Sequence, residues 1–267
     1  AHLKFAAVSD SGVLSVVEQL KCPLWLGLDN LYAAAELLIN KYALENAVHG
    51  LTMTGELCDN FADRDTGVDE IARGISSKLG VDRCYFYGLQ NRLNRLDKQH
   101  IPLEEIASAN WHASASYVGR QLDNAVVVDF GSTTVDVIPV CNNRVVACGT
   151  DDFTRLKYRE LVYTGLTRTP VAAIVRSLPF DGALIPVAAE YFANSADVYR
   201  ILGQLPETAD LYGAPDDGEK TTLGSARRLF RMIGRDFKDE YDAVRSIAEF
   251  VSDAQLEQVK QSVMNIV

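Results

Sequence analysis

Residues 126–140 read VVVDFGSTTVDVIPV, a run of buried-strand residues that stops at an acid, turns through Gly-Ser-Thr-Thr and then resumes. It extends an apolar, mostly β-branched run at residues 125–128, which predicts a central strand that is covered on both faces. Asp129 then ends the strand, and residues 131–134 supply a glycine for a tight turn and three hydroxyls around it. The apolar alternation over residues 135–140 predicts a second strand, so the stretch should fold as a hairpin.

An acid beside a turn of this composition is suited to holding a cation and an anion together. The carboxylate of Asp129 would bind Mg²⁺ or its waters, while the N–H groups and hydroxyls of residues 131–134 would bind phosphate oxygens. An ordinary hairpin, in which the aspartate only caps the turn, is the alternative that this stretch leaves open.

The composition is that of a soluble globular protein. The 267 residues are enough for one large domain or two small ones, and the apolar and charged fractions of 48% and 23% are ordinary. We see no signal peptide and no apolar run long enough to span a bilayer. Five separated cysteines without Cys-x-x-Cys spacing argue against disulfides and a zinc site, and favour the cytoplasm. A net charge of −10 argues against nucleic acid or an anionic membrane as a partner.

Strands that alternate with helices predict an α/β fold. In the first half we expect an opening hairpin whose second strand spans residues 13–17. The other elements expected there are helices at 28–44, 68–79 and 102–122, and strands at 46–53 and 83–87. The chain starts without methionine, at residues that already resemble the inside of an element, so we expect residues to be missing upstream.

The second half carries a different pattern. A strand pair is expected at residues 171–180 and 183–188, around the turn at Asp181 and Gly182. The tail from Ser195 onward should be mainly helical, with a basic amphipathic helix at 225–237 and two short helices within 241–267. The loop at residues 204–218 should be the most mobile segment. We therefore predict two domains, residues 1–122 and residues 123–267, the second with a helical tail.

Further candidate residues lie outside the first turn. After the strand that ends at Met53, Glu56 and Asp59 stand where α/β sites are usually built, and either could face the same cleft as Asp129 as a base or supporting acid. Asp63 and Asp65 are better explained as a solvated loop that caps the next helix.

A second glycine and hydroxyl turn occurs at residues 163–170, YTGLTRTP, in which Gly165 and Arg168 would bind an anion unless the segment is a plain turn. Lys4 in the opening hairpin could reach a phosphate, although a solvent-exposed lysine is the ordinary alternative.

Three arginines at helical spacing would share one face of a helix: Arg227, Arg231 and Arg235. That face would suit a phosphate or carboxylate group, and the alternative is a solvated basic face. The scattered histidines (His49, His100 and His112) favour structural roles over a metal site or a Ser-His-Asp triad.

Residues 126–140 resemble the second phosphate loop of the superfamily that contains sugar kinases, heat-shock ATPases and actin. More specifically, six ordered segments resemble the hydantoinase/oxoprolinase-related proteins of tetrahydromethanopterin-linked one-carbon metabolism, which include methanofuran-biosynthesis enzymes. These segments are PLWLGLDNL (23–31), LTMTGELCDNFADRDTGV (51–68), SANWHASA (108–115), VDFGSTTVDVIP (128–139), ELVYTGLTRTPV (160–171) and RLFRMIGRD (228–236).

The resemblance implies a two-domain actin-like (ribonuclease H-like) α/β fold with mixed sheets and an interdomain cleft. It also implies a Mg²⁺-dependent transferase that couples a furanmethyl diphosphate to a phenolic, tyramine- or tyrosine-derived acceptor and releases diphosphate. In that scheme Asp129 and Asp136 hold Mg²⁺, and Glu56, Asp59 and Asp129 are the catalytic acids. The diphosphate-binding set is Lys4, Gly131, Ser132, Thr133, Thr134, Gly165 and Arg168.

Two other functions remain open at this point. One is an ATP-dependent small-molecule kinase or ATPase on the same fold, although the isolated glycines of the second half do not form a Gly-Gly adenosine loop. The other is a noncatalytic subunit of a cofactor-biosynthesis complex. The expected partners are small-molecule substrates, and a homodimer is compatible with the sequence.

Overall fold

The computed structural model describes residues 2–96 and 103–266. The chain is mixed α/β, as predicted, and it divides into two compact units, Ala1–Gln121 and Leu122–Val267. Within the described ranges, no helix is both long enough and apolar enough to cross a membrane.

The first unit packs two long helices against a small mixed sheet. Its elements are β1 (His2–Val8), β2 (Leu14–Lys21), α1 (Asp29–Tyr42), β3 (His49–Leu51), α2 (Arg64–Leu79), β4 (Cys84–Gly88), β5 (Arg92–Arg95), α3 (Leu103–Ile106) and α4 (Asn110–Gly119). The sheet has the strand order β3-β4-β5, with β3 parallel to β4 and β4 antiparallel to β5, and the opening hairpin β1–β2 forms a sheet of its own.

The core of the first unit follows from the apolar spacing of α2. Val68, Ile71, Ile75 and Leu79 recur at intervals of three and four residues, and all are buried. They pack in one cluster with Phe86 and the other buried residues of β4 and α1.

The second unit packs helices against an antiparallel four-stranded sheet. Its elements are β6 (Ala125–Phe130), β7 (Val135–Cys141), β8 (Arg144–Val145), α5 (Asp152–Lys157), β9 (Leu161–Val162), α6 (Val171–Ile174), β10 (Ser177–Phe180), β11 (Ala183–Pro186), α7 (Ser195–Ile201), α8 (Thr222–Arg231) and α9 (Tyr241–Ile266). In the four-stranded sheet β7 pairs with β6, β8 and β9. Buried Val135 and Val137 of β7 pack against Val259 of α9.

The predicted hairpin at residues 126–140 is confirmed, but its first strand is not the central one. In the described part of the sheet β6 pairs only with β7, and Val128 is 45% exposed. The strand covered on both faces is β7, where Val137 and Ile138 are successive and both fully buried. An apolar run shows that a strand forms; it does not show which strand of a hairpin lies inside the sheet.

Several element boundaries also differ from the predictions. Residues 171–174 form a helical turn rather than a strand, so the hairpin at Asp181 and Gly182 is shorter than predicted. The helix predicted at 102–122 is two helices, interrupted near Ser108, whose φ is 45°; residue 102 and His100 lie outside the described residues. The tail predicted as two short helices is a single one, α9, of 26 residues.

Candidate functional site

The turn between β6 and β7 presents three hydroxyls without a hydrogen-bond partner among the described residues. The Gly131 N–H donates to the Thr134 carbonyl at 2.9 Å and closes the turn. Among the described residues, no hydrogen bond engages the side-chain hydroxyls of Ser132, Thr133 or Thr134, and all three residues are partly exposed. Hydroxyls in this state are available to an external acceptor such as a phosphate oxygen.

The second predicted turn lies directly against the first. The Leu166 N–H donates to the Gly131 carbonyl at 2.9 Å, and the Thr167 and Arg168 N–H groups donate to the Ser132 carbonyl at 3.2 and 3.0 Å. Two segments that the sequence analysis treated separately therefore form one structure, in which the backbone of Arg168 is fixed to the hydroxyl turn.

Gly165 makes this close approach possible. A Cβ atom at this position would lie 2.5 Å from the carbonyl carbon of Ser132 and 2.6 Å from its oxygen, and would also overlap the backbone nitrogen of Thr133. Any side chain here would push the two turns apart, so the site needs glycine for space rather than for an unusual backbone angle.

Gln255 supports the second turn from behind, and the sequence analysis missed it. Its side-chain NH₂ donates to the Gly165 carbonyl at 2.9 Å and to the Thr164 hydroxyl at 2.6 Å, while the residue is fully buried in α9. The sequence does contain a sign of this role: Gln255 lies four residues after Val251 and four before Val259, so it is a polar residue on the apolar face of a helix.

Two carboxylates face each other at the start of the hairpin. Asp129 and Asp136 are direct cross-strand partners. Asp136 accepts a hydrogen bond from buried Arg155 at 2.8 Å, whereas the Asp129 carboxylate has no hydrogen bond or ion pair with any described residue. Burial raises the pKa of the Asp136 carboxyl, the Arg155 guanidinium opposes that shift, and the negative charge of Asp129 adds to it.

This donor set fits Mg²⁺ with substrate oxygens, but not a cation enclosed by protein ligands alone. Within the described ranges, no group of three or more His, Cys, Asp or Glu side chains forms a metal site. Mg²⁺ commonly takes one or two carboxylates and completes its octahedron with water and phosphate oxygens. Asp129 and Asp136 would supply the carboxylates, and the adjoining turn would hold the phosphate.

Arg168 has its backbone fixed to this turn. Besides the bond from its backbone to Ser132, its guanidinium lies over the ring of Tyr212, 5.6 Å from the ring centroid. The arginine face predicted on α8 does not form, because the helix ends at Arg231 and Arg235 lies beyond it. The charged residue buried on this helix is Arg228, whose guanidinium pairs with Asp197 at 2.8 Å.

In the first unit, Glu56 is a buried and fully engaged carboxylate. It is 1% exposed, accepts from the Gly55 N–H at 2.9 Å and from the Ser108 hydroxyl, and lies 3.6 Å from a terminal nitrogen of Arg64. Asp59 in the same loop is exposed, and no hydrogen bond or ion pair joins it to a described residue.

The remaining predicted residues of the first unit lie apart from this carboxylate. Lys4 is exposed on β1, opposite Gln19, and nothing described joins its side chain to Glu56 or Asp59. Asp63 is the N-cap of α2, as predicted, and its Oδ1 accepts from the Thr66 N–H at 2.8 Å, which lowers the pKa of its carboxyl.

Comparison with known proteins places this chain in a family. A family model described as hydantoinase/oxoprolinase matches residues 48–267. Two similar proteins are both named (4-{4-[2-(gamma-L-glutamylamino)ethyl]phenoxymethyl}furan-2-yl)methanamine synthase. The protein from Methanocaldococcus jannaschii is 29% identical over 254 residues, which cover 94% of this chain and 74% of that protein. The protein from Methanococcus vannielii is 31% identical over 123 residues, which cover 46% of this chain and 55% of that protein. The chain belongs to the hydantoinase/oxoprolinase family.

Proposed function

We propose that this protein is a transferase of methanofuran or methylofuran biosynthesis, which couples a furanmethyl diphosphate to a phenolic acceptor and releases diphosphate. The observation that carries the proposal is the pair of joined turns at residues 131–134 and 165–168, with a cross-strand pair of aspartates beside them. The names of the two similar proteins support it, because they describe a phenoxymethyl group on a furan, which is an aryl ether.

The proposed reaction exchanges one carbon–oxygen bond for another. The phenol oxygen attacks the CH₂ attached to the furan ring, and the bond from that CH₂ to diphosphate breaks with its electron pair on the leaving oxygen. The furan ring can share positive charge at the departing CH₂, so the substitution can be dissociative. The phenol proton passes to a base, and no oxidant or reductant is consumed.

The joined turns would stabilise the charge that builds on the leaving group. The hydroxyls of residues 132–134 and the guanidinium of Arg168 are donors of the kind that stabilise a developing anion. Lys4 is proposed as a further cation. Mg²⁺, held by Asp129 and Asp136, would supply additional positive charge for the same anion when bound.

The proton of the acceptor requires a base, because a phenol with a reference pKa of about 10 attacks best as its anion. Glu56 and Asp59 are proposed for this step. Both oxygens of Glu56 already have contacts within the protein, which favours a supporting role that orients the loop. Asp59 has no such contacts among the described residues, which favours it as the acceptor of the proton.

The test is diphosphate release by purified protein that is given Mg²⁺, a furanmethyl diphosphate and a phenolic acceptor, with detection of the ether product. The Asp129→Asn variant should lose turnover by about 100-fold or more, since a carboxylate ligand near developing charge is replaced by an amide, and it should unfold at the wild-type temperature. Asp253→Asn removes an exposed carboxylate of α9 that has no ion pair with a described residue, and it should keep full activity.

Three results would contradict the proposal. An Asp129→Asn variant that remains active and responds to Mg²⁺ would remove the metal role of Asp129. ATP hydrolysis without coupling would move the same site to a kinase or ATPase. No turnover of either kind, with activity that appears only when a partner protein is added, would identify a noncatalytic subunit.

A further inference from the structure

Arg168 is held at two points by different parts of the second unit. Its backbone N–H donates to the Ser132 carbonyl at 3.0 Å, which ties it to the hydroxyl turn. Its guanidinium lies over the ring of Tyr212. A guanidinium over an aromatic ring is attracted to that ring, and the contact restricts where the cation lies.

Tyr212 belongs to a segment, residues 210–220, that charged side chains fix in place. The Lys220 ammonium group donates to the carbonyls of Asp210 and Tyr212 at 2.5 and 3.0 Å. The carboxylate of Asp210 also pairs with Arg200 of α7. The backbone of Tyr212 is therefore tied to its own loop and, through Asp210, to a helix of the same unit.

The far end of this segment is fixed to a buried ion pair. Arg228 donates to the Asp216 carboxylate at 3.0 Å and to the Glu219 carbonyl at 3.2 Å. Arg228 also pairs with Asp197, and both side chains are 1% exposed. Asp210 and Asp216, which both lie in the loop at residues 204–218, thus hold this segment to α7 and α8.

We propose that Tyr212 is a positioning residue for Arg168, and that its ring orients the guanidinium towards a diphosphate group bound at residues 131–134. This inference rests on the proposed function, because it takes diphosphate as the anion of the site. The contacts of the segment 210–220 fix the position of Tyr212, and its ring provides the contact with Arg168. In this proposal Tyr212 acts through Arg168 and does not contact the substrate.

The test measures binding of inorganic diphosphate in the presence of Mg²⁺ to the full chain by calorimetry. Tyr212→Leu removes the ring and keeps apolar bulk, so diphosphate affinity should fall by about 3-fold to 30-fold, the range expected for loss of a partly desolvated cation–π contact. Tyr212→Phe keeps the ring and should bind within about twofold of wild type. Tyr158→Leu is the matched control, because it removes a ring that lies under Lys157 at 5.4 Å and is not part of the proposed site.

A second measurement separates positioning from a purely structural role. In an Arg168→Ala background, Tyr212→Leu should weaken diphosphate binding no further, because the group that the ring orients is already absent. If Tyr212→Leu does not fold, Tyr212→Met fills a similar space with a flexible chain and replaces it in both measurements.

The possible outcomes are distinct. Wild-type affinity in Tyr212→Leu, or an equal loss with and without Arg168, would overturn the role of Tyr212 and leave the proposed function standing. A wild-type protein that binds no diphosphate would overturn the diphosphate site of the proposed function, and the role of Tyr212 with it. Loss of affinity that depends on both the ring and Arg168 would support the inference.

Discussion

Replacing Gly165 with alanine tests whether the contact between the two turns builds the site. The added methyl group would lie 2.5 Å from the carbonyl carbon of Ser132, whereas ordinary van der Waals contact begins at 3.4 Å, so the turns must separate by about 1 Å. The atoms in the way are backbone atoms, and no side chain can rotate aside to relieve the overlap.

The expected effect has a thermodynamic and a functional part. Overpacking of this kind costs about 1–3 kcal/mol, which for a chain of this size lowers the midpoint of thermal unfolding by roughly 2–12 °C. The hydrogen bonds from residues 166–168 to Gly131 and Ser132 would lengthen or break. A displacement of about 1 Å in a site that positions reacting groups can lower turnover by about 100-fold, and diphosphate affinity should fall as well.

The assay combines differential scanning calorimetry with diphosphate binding, and Gly50→Ala is the control. Gly50 is exposed in β3, and a methyl group there would have no atom within 4 Å, so unfolding and binding should stay close to wild type. If Gly165→Ala unfolds and binds diphosphate as the wild type does, the close approach of the turns is wrong. If only stability falls, the contact exists but does not build an anion site.

Two further predictions concern stability. Arg228→Ala should lower the free energy of unfolding by about 1.5–3 kcal/mol, because the buried Asp197 carboxylate loses its charged partner at 2.8 Å and keeps Arg200 at 3.4 Å and the Ser225 hydroxyl. Arg227→Ala on the exposed side of α8 should change it by less than about 0.5 kcal/mol. Equal effects in chemical denaturation would contradict this placement of Arg228. Burial lowers the pKa of His112, and burial with the charge of Arg83 lowers that of His49. The unfolded chain therefore binds more protons once the pH falls below about 6.5, so stability should decrease from there down through the folded-state pKa values. This slope should be shallower in the His49→Asn, His112→Asn double variant, and an unchanged slope would show that other groups cause it.

The local parts of this site could be predicted from the sequence. A strand, an acid, a glycine and three hydroxyls in succession specify a hairpin, and the observed register follows from the turn. Because Phe130 pairs with Val135, Asp129 must face Asp136. The second turn at residues 163–170 was also identified from its glycine and hydroxyls.

The sequence could not show how distant segments meet. The contact between Gly165 and Ser132 joins positions more than 30 residues apart, and no local pattern encodes it. The helical spacing of Arg227, Arg231 and Arg235 predicts a shared face only if the helix continues to Arg235. The helix instead ends at Arg231, close to Gly234 with its φ of 69°, and Arg228 turns inward to an acid 31 residues earlier in the chain.

The ion pair between Arg155 and Asp136 is difficult to explain by stability alone. A buried ion pair is often no more stabilising than apolar residues of the same volume, and Arg155 is only 2% exposed. Burial and the neighbouring charge of Asp129 both favour the neutral form of Asp136, so without Arg155 this carboxyl would be harder to ionise. Arg155 therefore favours the charged form of Asp136, which lies directly opposite Asp129 and beside the turn proposed to hold an anion. A cation bound at these two aspartates would favour the same form of Asp136. Arg155 and the proposed Mg²⁺ would thus act on Asp136 in the same direction, which gives this buried ion pair a role other than stability.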